Sequence, residues 1–205
     1  MIAIIDYGVG NLFSLKSSFL RVGADVIVTD SKKEIQDAEK IILPGVGAFE
    51  DAANKLKNTG LDNILISEAK KGKPLLGICL GMQLLFDKSY ENGVYDGLGL
   101  IKGDVIPIAG VIPKDFKVPH IGWNSLRFKG EKSRIFKYIN DGDFVYFVHS
   151  YYASNCDKSV SSVTDYGTEL TASVENENIF GCQFHPEKSG DTGLNILKAF
   201  CELED

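Results

Sequence analysis

Pro74-Leu75-Leu76-Gly77-Ile78-Cys79-Leu80-Gly81-Met82-Gln83 is the stretch on which the fold turns. Residues 74–79 are a short apolar run without helical spacing, and the pattern becomes helical over 81–87. A brief apolar run that ends at turn residues reads as a strand buried on both faces. The junction has the form Gly-x-Cys-x-Gly, which places a nucleophilic side chain at a sharp strand-to-helix turn, the setting of a nucleophile elbow. Small residues two before and two after Cys79 let the backbone bend there. A thiol at a helix N-terminus lies in a positive partial field that favours the thiolate. The N–H of Leu80 would point toward an oxyanion formed on a carbonyl attacked by Cys79. A small core cysteine beside a tight turn would leave the same trace, so the elbow alone does not separate a reactive thiol from a packed one.

Working upstream, the same alternation repeats. Residues 2–6 are apolar and are followed by Gly8, Gly10 and Asn11, a possible helix cap. Leu12, Leu15, Phe19 and Val22 then recur at helical spacing, and Gly23 ends the helix. A second strand is expected over 24–29, a short helix over 31–38 and a third strand at Lys40–Leu43, stopped by Pro44-Gly45. Helices are expected over 49–56 and Leu61–Lys70. Buried strands alternating with helices imply parallel pairing, because the crossover helices cover both sheet faces.

Downstream of about Leu98 the texture changes. Strand-like runs at 100–108, 124–128, Phe144–His149, 170–174 and 179–184 are joined by Gly, Asn and Asp, and read as antiparallel or mixed extensions of the same sheet. A last helix is expected over 193–203. No linker, repeat or low-complexity segment divides the chain, which predicts one α/β domain over residues 1–205.

Composition excludes several classes. The 22 Lys and Arg against 28 Asp and Glu give a net charge of -6, and the Lys residues are scattered, so no nucleic-acid footprint is expected. No apolar run is long enough to span a membrane, and the N-terminal residues carry no basic leader. The four cysteines, Cys79, Cys156, Cys182 and Cys201, are too far apart for a Cys-x-x-Cys metal pair or a disulfide framework. The expectation is four thiols in a reducing cytoplasm.

A catalytic thiol needs an imidazole, and there are three: His120, His149 and His185. His185 stands in Phe184-His185-Pro186-Glu187, directly after the run 179–184. Proline disfavours helix at the preceding residue, so His185 is expected to be extended. In extended chain, residues two apart share a side, which lets Glu187 fold back onto one imidazole nitrogen while the other faces the thiol. That is nucleophile, base and orienter in the order Cys79, His185, Glu187. His149 and His120 read as residues that orient local backbone or sit at an interface. A strand-capping histidine with a surface glutamate would also fit His185 and Glu187, but two independent halves rarely coincide by accident.

Gly-Ile-Cys-Leu-Gly-Met-Gln with Phe-His-Pro-Glu resembles the class I glutamine amidotransferases. Asp6-Tyr7-Gly8-Val9-Gly10-Asn11, Pro44-Gly45-Val46-Gly47, His120-Ile121-Gly122-Trp123-Asn124, Tyr146-Phe147-Val148-His149-Ser150-Tyr151 and His185-Pro186-Glu187-Lys188-Ser189-Gly190 extend the resemblance over the whole chain, in family order. They are most similar to the glutaminase subunits of imidazole glycerol phosphate synthase of the separate-chain type. The resemblance implies a three-layer α/β fold, a mostly parallel sheet with helices on both faces and mixed extensions. It implies that Gly45, Gly47 and Gln83 contact bound glutamine, that Glu91 meets its α-amino group, and that Ser150 and Tyr151 present backbone to its α-carboxylate. Val46 and Gly47 would supply the second oxyanion donor beside Leu80. Asn11, Trp123, Tyr146 and Lys188 would lie near a partner face; read from its own neighbours, Gly122 and Asn124, Trp123 fits either a core position or an interface anchor. The implied partner is a (β/α)8-barrel cyclase subunit, in a heterodimer that uses the released ammonia. No metal, organic cofactor, nucleic acid or membrane is implied.

The motifs leave alternatives. A paralogous glutaminase could feed another synthase, for example one that amidates a sugar. An α/β cysteine hydrolase or peptidase could share the elbow. A binding module without activity is disfavoured by the complete set of three side chains.

Overall fold

The computed structural model describes residues 1–204 of the chain. Up to the elbow, strands and helices alternate as expected. Strand β1 (Ile2–Ile5) leads into helix α1 (Leu12–Arg21), whose first turn is capped by the Asn11 side chain accepting the Ser14 N–H at 3.4 Å. Then come β2 (Val26–Thr29), α2 (Lys32–Asp37), β3 (Lys40–Leu43), α3 (Phe49–Thr59), α4 (Leu61–Lys70), β4 (Leu75–Ile78) and a one-turn helix, α5 (Leu80–Gln83).

The helix expected over 81–87 is therefore cut short. The carbonyl of Leu84 accepts from Leu98 N–H at 2.8 Å, and that of Leu85 accepts from Leu100 and Ile101 N–H at 2.9 and 3.0 Å. Acceptors that would continue the helix are taken by a distant segment, and residues from 86 onward leave as a strand.

The second half contains β5 (Phe86–Ser89), β6 (Tyr95–Asp96), β7 (Ile101–Pro107), β8 (His120–Ser125), β9 (Arg127–Phe128), β10 (Phe144–His149), β11 (Tyr151–Ser154), β12 (Val160–Asp165), β13 (Glu169–Asn176), β14 (Ile179–Cys182) and helix α6 (Gly190–Cys201). The main sheet has the order β2-β1-β3-β4-β14-β13-β12-β9. Its first five strands are mutually parallel and the last three are added antiparallel. Not all late strands extend it. Strands β8 and β10 form a separate antiparallel ribbon, and β11-β7-β5-β6 form a third small sheet. The expected strand over 124–128 is two strands, β8 starting at His120 and β9 after a break at Leu126.

Helices cover both faces because the strand residues alternate. Ile41, Leu43 and Leu75 point into one core with Phe49, Leu56 and Leu65 of α3 and α4. Ile42, Leu76, Ile78 and Phe180 point into the other, with Phe19 of α1 and Phe200 of α6. Each fully buried Leu, Ile or Phe contributes about 1.5–3 kcal/mol relative to exposure. Register then sets the site. Strand β4 lies between β3 and β14, with Gly77 opposite both Leu43 and Gly181. The C-terminal ends of β3, β4 and β14 thus emerge side by side, where open α/β sheets hold their ligands. No helix among the described residues is long and apolar enough to cross a membrane.

Candidate active site

Cys79 follows β4 with φ 55° and ψ -112°, a left-handed conformation for a residue with a side chain. Such backbone costs on the order of 1–3 kcal/mol and persists only where its surroundings enforce it. Here the enforcement is close packing of α5 on the sheet. A Cβ on Gly77 would stand 2.6 Å from the Gly81 carbonyl oxygen, and one on Gly81 would stand 1.8 Å from that of Leu43. The two glycines flanking the elbow therefore admit neighbouring backbone. The Cys79 N–H donates to the Cys182 carbonyl at 2.7 Å, which ties the elbow to β14. Leu80 opens α5, so its N–H has no acceptor within the helix and is free for a ligand.

His185 is extended, with φ -100° and ψ 99°, and its N–H donates to the Tyr146 carbonyl at 2.9 Å. Glu187 reaches it differently from the expectation of an extended Pro-Glu pair. A 3-10 turn over Pro186–Lys188 folds the chain back, and Glu187 Oε1 accepts from His185 Nδ1 at 2.8 Å. Both side chains are almost wholly buried, and Glu187 Oε2 has no partner. Burial pulls the imidazole pKa down, but hydrogen bonds and charge interactions with Cys79 and Glu187 outweigh it and raise the value to about 9. His185 thus holds its proton at neutral pH.

A cleft of 390 Å³ opens over the thiol. It is lined by Val46, Gly47, Leu80, Gln83, Glu91, Ser150, Tyr151, His185 and Lys188, with Cys79 among them. Depressions of 330, 410 and 510 Å³ elsewhere contain neither an elbow nucleophile nor a histidine, so chemistry rather than volume singles this one out. Gln83 Nε2 donates to the Tyr151 carbonyl at 3.1 Å and to Gln183 Oε1 at 3.0 Å. Glu91 Oε2 accepts the Phe49 N–H at 3.0 Å, at the start of α3, which makes it a helix cap as well as a wall of the cleft.

Gly45 is not among the residues that line the cleft. It is buried behind the cleft, where a Cβ would meet Gly81 N at 2.7 Å and the Tyr7 hydroxyl at 3.0 Å. The loop it opens is tethered by the Tyr7 hydroxyl donating to the Pro44 carbonyl at 2.7 Å. Gly47 has φ 96° and open space around it, while Val46 is 42% exposed.

Asn11, Trp123 and Tyr146 lie outside the cleft, whereas Lys188 reaches its wall. Trp123 and Tyr146 are cross-strand partners on the β8–β10 ribbon, with ring centroids 6.1 Å apart. On the outer face of that ribbon Ile121, Trp123 and Phe144 are each more than half exposed.

The other two histidines form a buried pair on the ribbon's inner face. His120 Nδ1 and His149 Nε2 are 3.0 Å apart, and His149 Nδ1 lies 2.9 Å from the Tyr151 carbonyl. A carbonyl can only accept, so His149 donates from Nδ1 and accepts at Nε2 from His120. Burial lowers both values to about 4; for His149 its hydrogen bond to Tyr151 opposes the shift, and the charges of His120 and His185 add to it. Because both folded values lie below the ordinary 6.5, the unfolded chain takes up protons first as pH falls. Their contribution to stability is complete above about 6.5 and drains away toward about 4. His185 has the opposite sign: its contribution is complete below about 6.5 and is lost as pH rises through about 9. Urea denaturation midpoints across this range should peak in between. In His185→Ala the alkaline decline should shrink while the acid decline remains, and an unchanged alkaline limb would refute the assignment.

Gln183, which lies outside every motif, is a site neighbour, as are Val148 and Tyr7, which stand inside motifs but had no role of their own. Gln183 is fully buried, and its Nε2 lies 3.8 Å from Cys79 Sγ; the Val148 carbonyl lies 3.9 Å from the same sulfur. The available signal was a lone polar residue inside the apolar run 179–184.

Residues 3–202 match the family model described as glutamine amidotransferase class-I. Curated proteins named imidazole glycerol phosphate synthase subunit HisH are similar over nearly their whole length. The one from Caldanaerobacter subterraneus subsp. tengcongensis is 52% identical over 99% of this chain and 98% of its own, and that from Lactococcus lactis subsp. lactis is 48% identical over 98% of each. Among solved structures, PurLQS from Thermotoga maritima aligns with a TM-score of 0.74 at 21% identity, covering 97% of this chain and 96% of that one. The glutaminase domain of Trypanosoma brucei CTPS with bound acivicin aligns at 0.68 and 16% identity, covering 100% and 94%. These two likenesses concern the fold, which is the mostly parallel α/β sheet expected from the sequence. The family match and the full-length identities place this chain in the class I glutamine amidotransferases, within the family of imidazole glycerol phosphate synthase subunit HisH.

Proposed function

We infer that the chain is the glutaminase subunit of an imidazole glycerol phosphate synthase. It hydrolyses glutamine to glutamate and ammonia and passes the ammonia to a cyclase subunit, which makes imidazole glycerol phosphate and aminoimidazole carboxamide ribotide in histidine biosynthesis. The observation that carries the chemical reading is Glu187 Oε1 2.8 Å from His185 Nδ1, with His185 and Cys79 lining the same cleft and interacting through their side chains.

In the proposed reaction the Cys79 thiolate attacks the side-chain amide carbon of glutamine. The oxyanion receives the Leu80 N–H and a second N–H from Val46 or Gly47. His185 gives its proton to the leaving nitrogen, so ammonia departs and a thioester remains. Water then attacks the thioester, His185 takes its proton, and glutamate leaves as the thiolate re-forms. Gln83 and Glu91 line the cleft where the substrate would sit, Glu91 with one carboxylate oxygen left for an α-ammonium. Ser150 and Tyr151 offer main-chain groups to the α-carboxylate. Gly45 supports the loop from behind rather than touching substrate.

Ammonia in neutral water is mostly ammonium, which is no nucleophile, so the product has to pass into a docked partner without meeting bulk solvent. A (β/α)8-barrel cyclase seated on the apolar outer face of the ribbon, around Trp123 and Tyr146 and reaching Asn11 and Lys188, would cover the mouth of the cleft. The β10 strand that carries Tyr146 also carries Val148 beside the thiol, which gives the partner a short route to the reacting groups.

The 44–47 loop is the proposed switch. Gly47 already has positive φ and free space, so a neighbouring peptide can rotate to aim either an N–H or a carbonyl at the oxyanion. A lost oxyanion donor costs about 10²–10³ in rate, so a bias of ~3–4 kcal/mol between loop states suffices for gating of that size. Glutamine hydrolysis should be slow in the pure subunit, faster with cyclase, and faster still with cyclase plus its acceptor ligand. Full activity in the subunit alone would rule out the switch. Gly47→Pro removes one N–H and, because proline holds φ at about -65° where Gly47 stands at 96°, also forces the loop out of its present state; it should depress the stimulated rate more than partner affinity. The reverse pattern would make the loop an interface element.

A further inference from the structure

Gln183 has no place in the three-residue scheme, yet it is fully buried and faces the reacting sulfur. Which end of its amide does so follows from a chain of hydrogen bonds that starts at a group able only to accept. The Tyr151 carbonyl takes one hydrogen from His149 Nδ1 and one from Gln83 Nε2. That fixes the nitrogen end of Gln83, whose second hydrogen goes to Gln183 Oε1 at 3.0 Å. With its oxygen so occupied, Gln183 can only turn its NH2 toward Cys79 Sγ, 3.8 Å away. Backbone holds it in place, since its own N–H donates to the Ala172 carbonyl at 2.8 Å.

We propose that Gln183 is a hydrogen-bond donor to the Cys79 sulfur, aimed by Gln83, that holds the thiolate in place and stabilises it before attack and again as it is expelled from the thioester. His185 cannot do this alone. Its proton leaves with ammonia, and in the second step it arrives with a proton taken from water only as the thiolate departs. A neutral amide donor is unaffected by that cycle, and a donor to an anion is roughly twice as strong as one to a neutral group. Because Gln183 does not line the cleft while Gln83 does, the two should separate kinetically: Gln183 acts on turnover, Gln83 on turnover and substrate affinity.

The proposal rests on Cys79 being the nucleophile, and the test keeps the two apart. Iodoacetamide alkylation of the full-length chain is followed at Cys79 by peptide mass, in the absence of glutamine. In the wild type, alkylation at Cys79 should abolish glutamine hydrolysis; retained hydrolysis would overturn the nucleophile reading itself. Gln183→Met keeps the side-chain shape without the donor. It should slow Cys79 alkylation about tenfold at neutral pH and should lower kcat about tenfold with KM nearly unchanged; a tenfold change corresponds to about 1.4 kcal/mol. Wild-type alkylation in a folded Gln183→Met, whatever its kinetics, would overturn the donor role. Should that variant not fold, Gln83→Met reads the same chain from the cleft side. Slower alkylation there supports the aiming of Gln183 by Gln83, and a wild-type rate refutes it.

Discussion

Cys79→Ala is expected to abolish glutamine hydrolysis while leaving the fold intact. No other cysteine can replace it. Cys156 and Cys182 are buried thiols whose pKa values burial raises, and Cys201 sits on α6, away from the cleft; none stands at a strand-to-helix turn. Alanine fills the elbow with less volume and keeps the Cβ that the site already accommodates, so circular dichroism should stay close to wild type, while the urea midpoint should lose only the share of the His185 contribution that Cys79 supplies. Bound to the cyclase, the variant should still support synthesis from ammonium salts, because only the ammonia source is lost. Substantial glutamine hydrolysis by a pure variant would end the assignment of Cys79.

His185→Ala and Glu187→Gln separate proton transfer from orientation. Removing the imidazole leaves the leaving nitrogen without an acid and the water without a base, so turnover should fall by about 10²–10⁴. Glu187→Gln is milder, because an amide oxygen can still accept from His185 Nδ1. What is lost is the charge that favours imidazolium. A neutral acceptor is worth about 1–1.5 kcal/mol less than a charged one, which predicts a drop of roughly tenfold. The variant's pH–rate profile should also move to lower pH on its alkaline limb, because one of the interactions that raise His185 to about 9 is weakened. Wild-type turnover and profile in Glu187→Gln, with chemistry shown to be rate-limiting, would reduce Glu187 to a passive neighbour.

Much of this architecture is determined locally, and that is why it can be read along the chain. The four buried runs before the elbow are strands because they are too short and too continuously apolar for amphipathic helices, and Gly, Asn and Pro mark their ends. Cys79 between two glycines, and His185 before Pro186, are local backbone statements of the same kind. Relations between distant segments are not carried by any local pattern. The helix expected over 81–87 ends after one turn because the carbonyls of Leu84 and Leu85 are claimed by residues 98–101. The late strands divide into three sheets because partner choice depends on long-range pairing, which periodicity does not encode. Glu187 reaches His185 through a 3-10 turn rather than an extended pair. Gly45 is a packing residue because Leu80, Gly81 and Tyr7 converge on it from elsewhere in the chain. Gln183 faces the thiol only because β14 lies beside β4, and the direction of its amide is decided by a carbonyl 32 residues earlier, at Tyr151. The sequence by itself determined the reactive groups and the elements that bear them; tertiary structure decided which of their polar ends meet, because hydrogen-bond direction in a buried network depends on every partner at once.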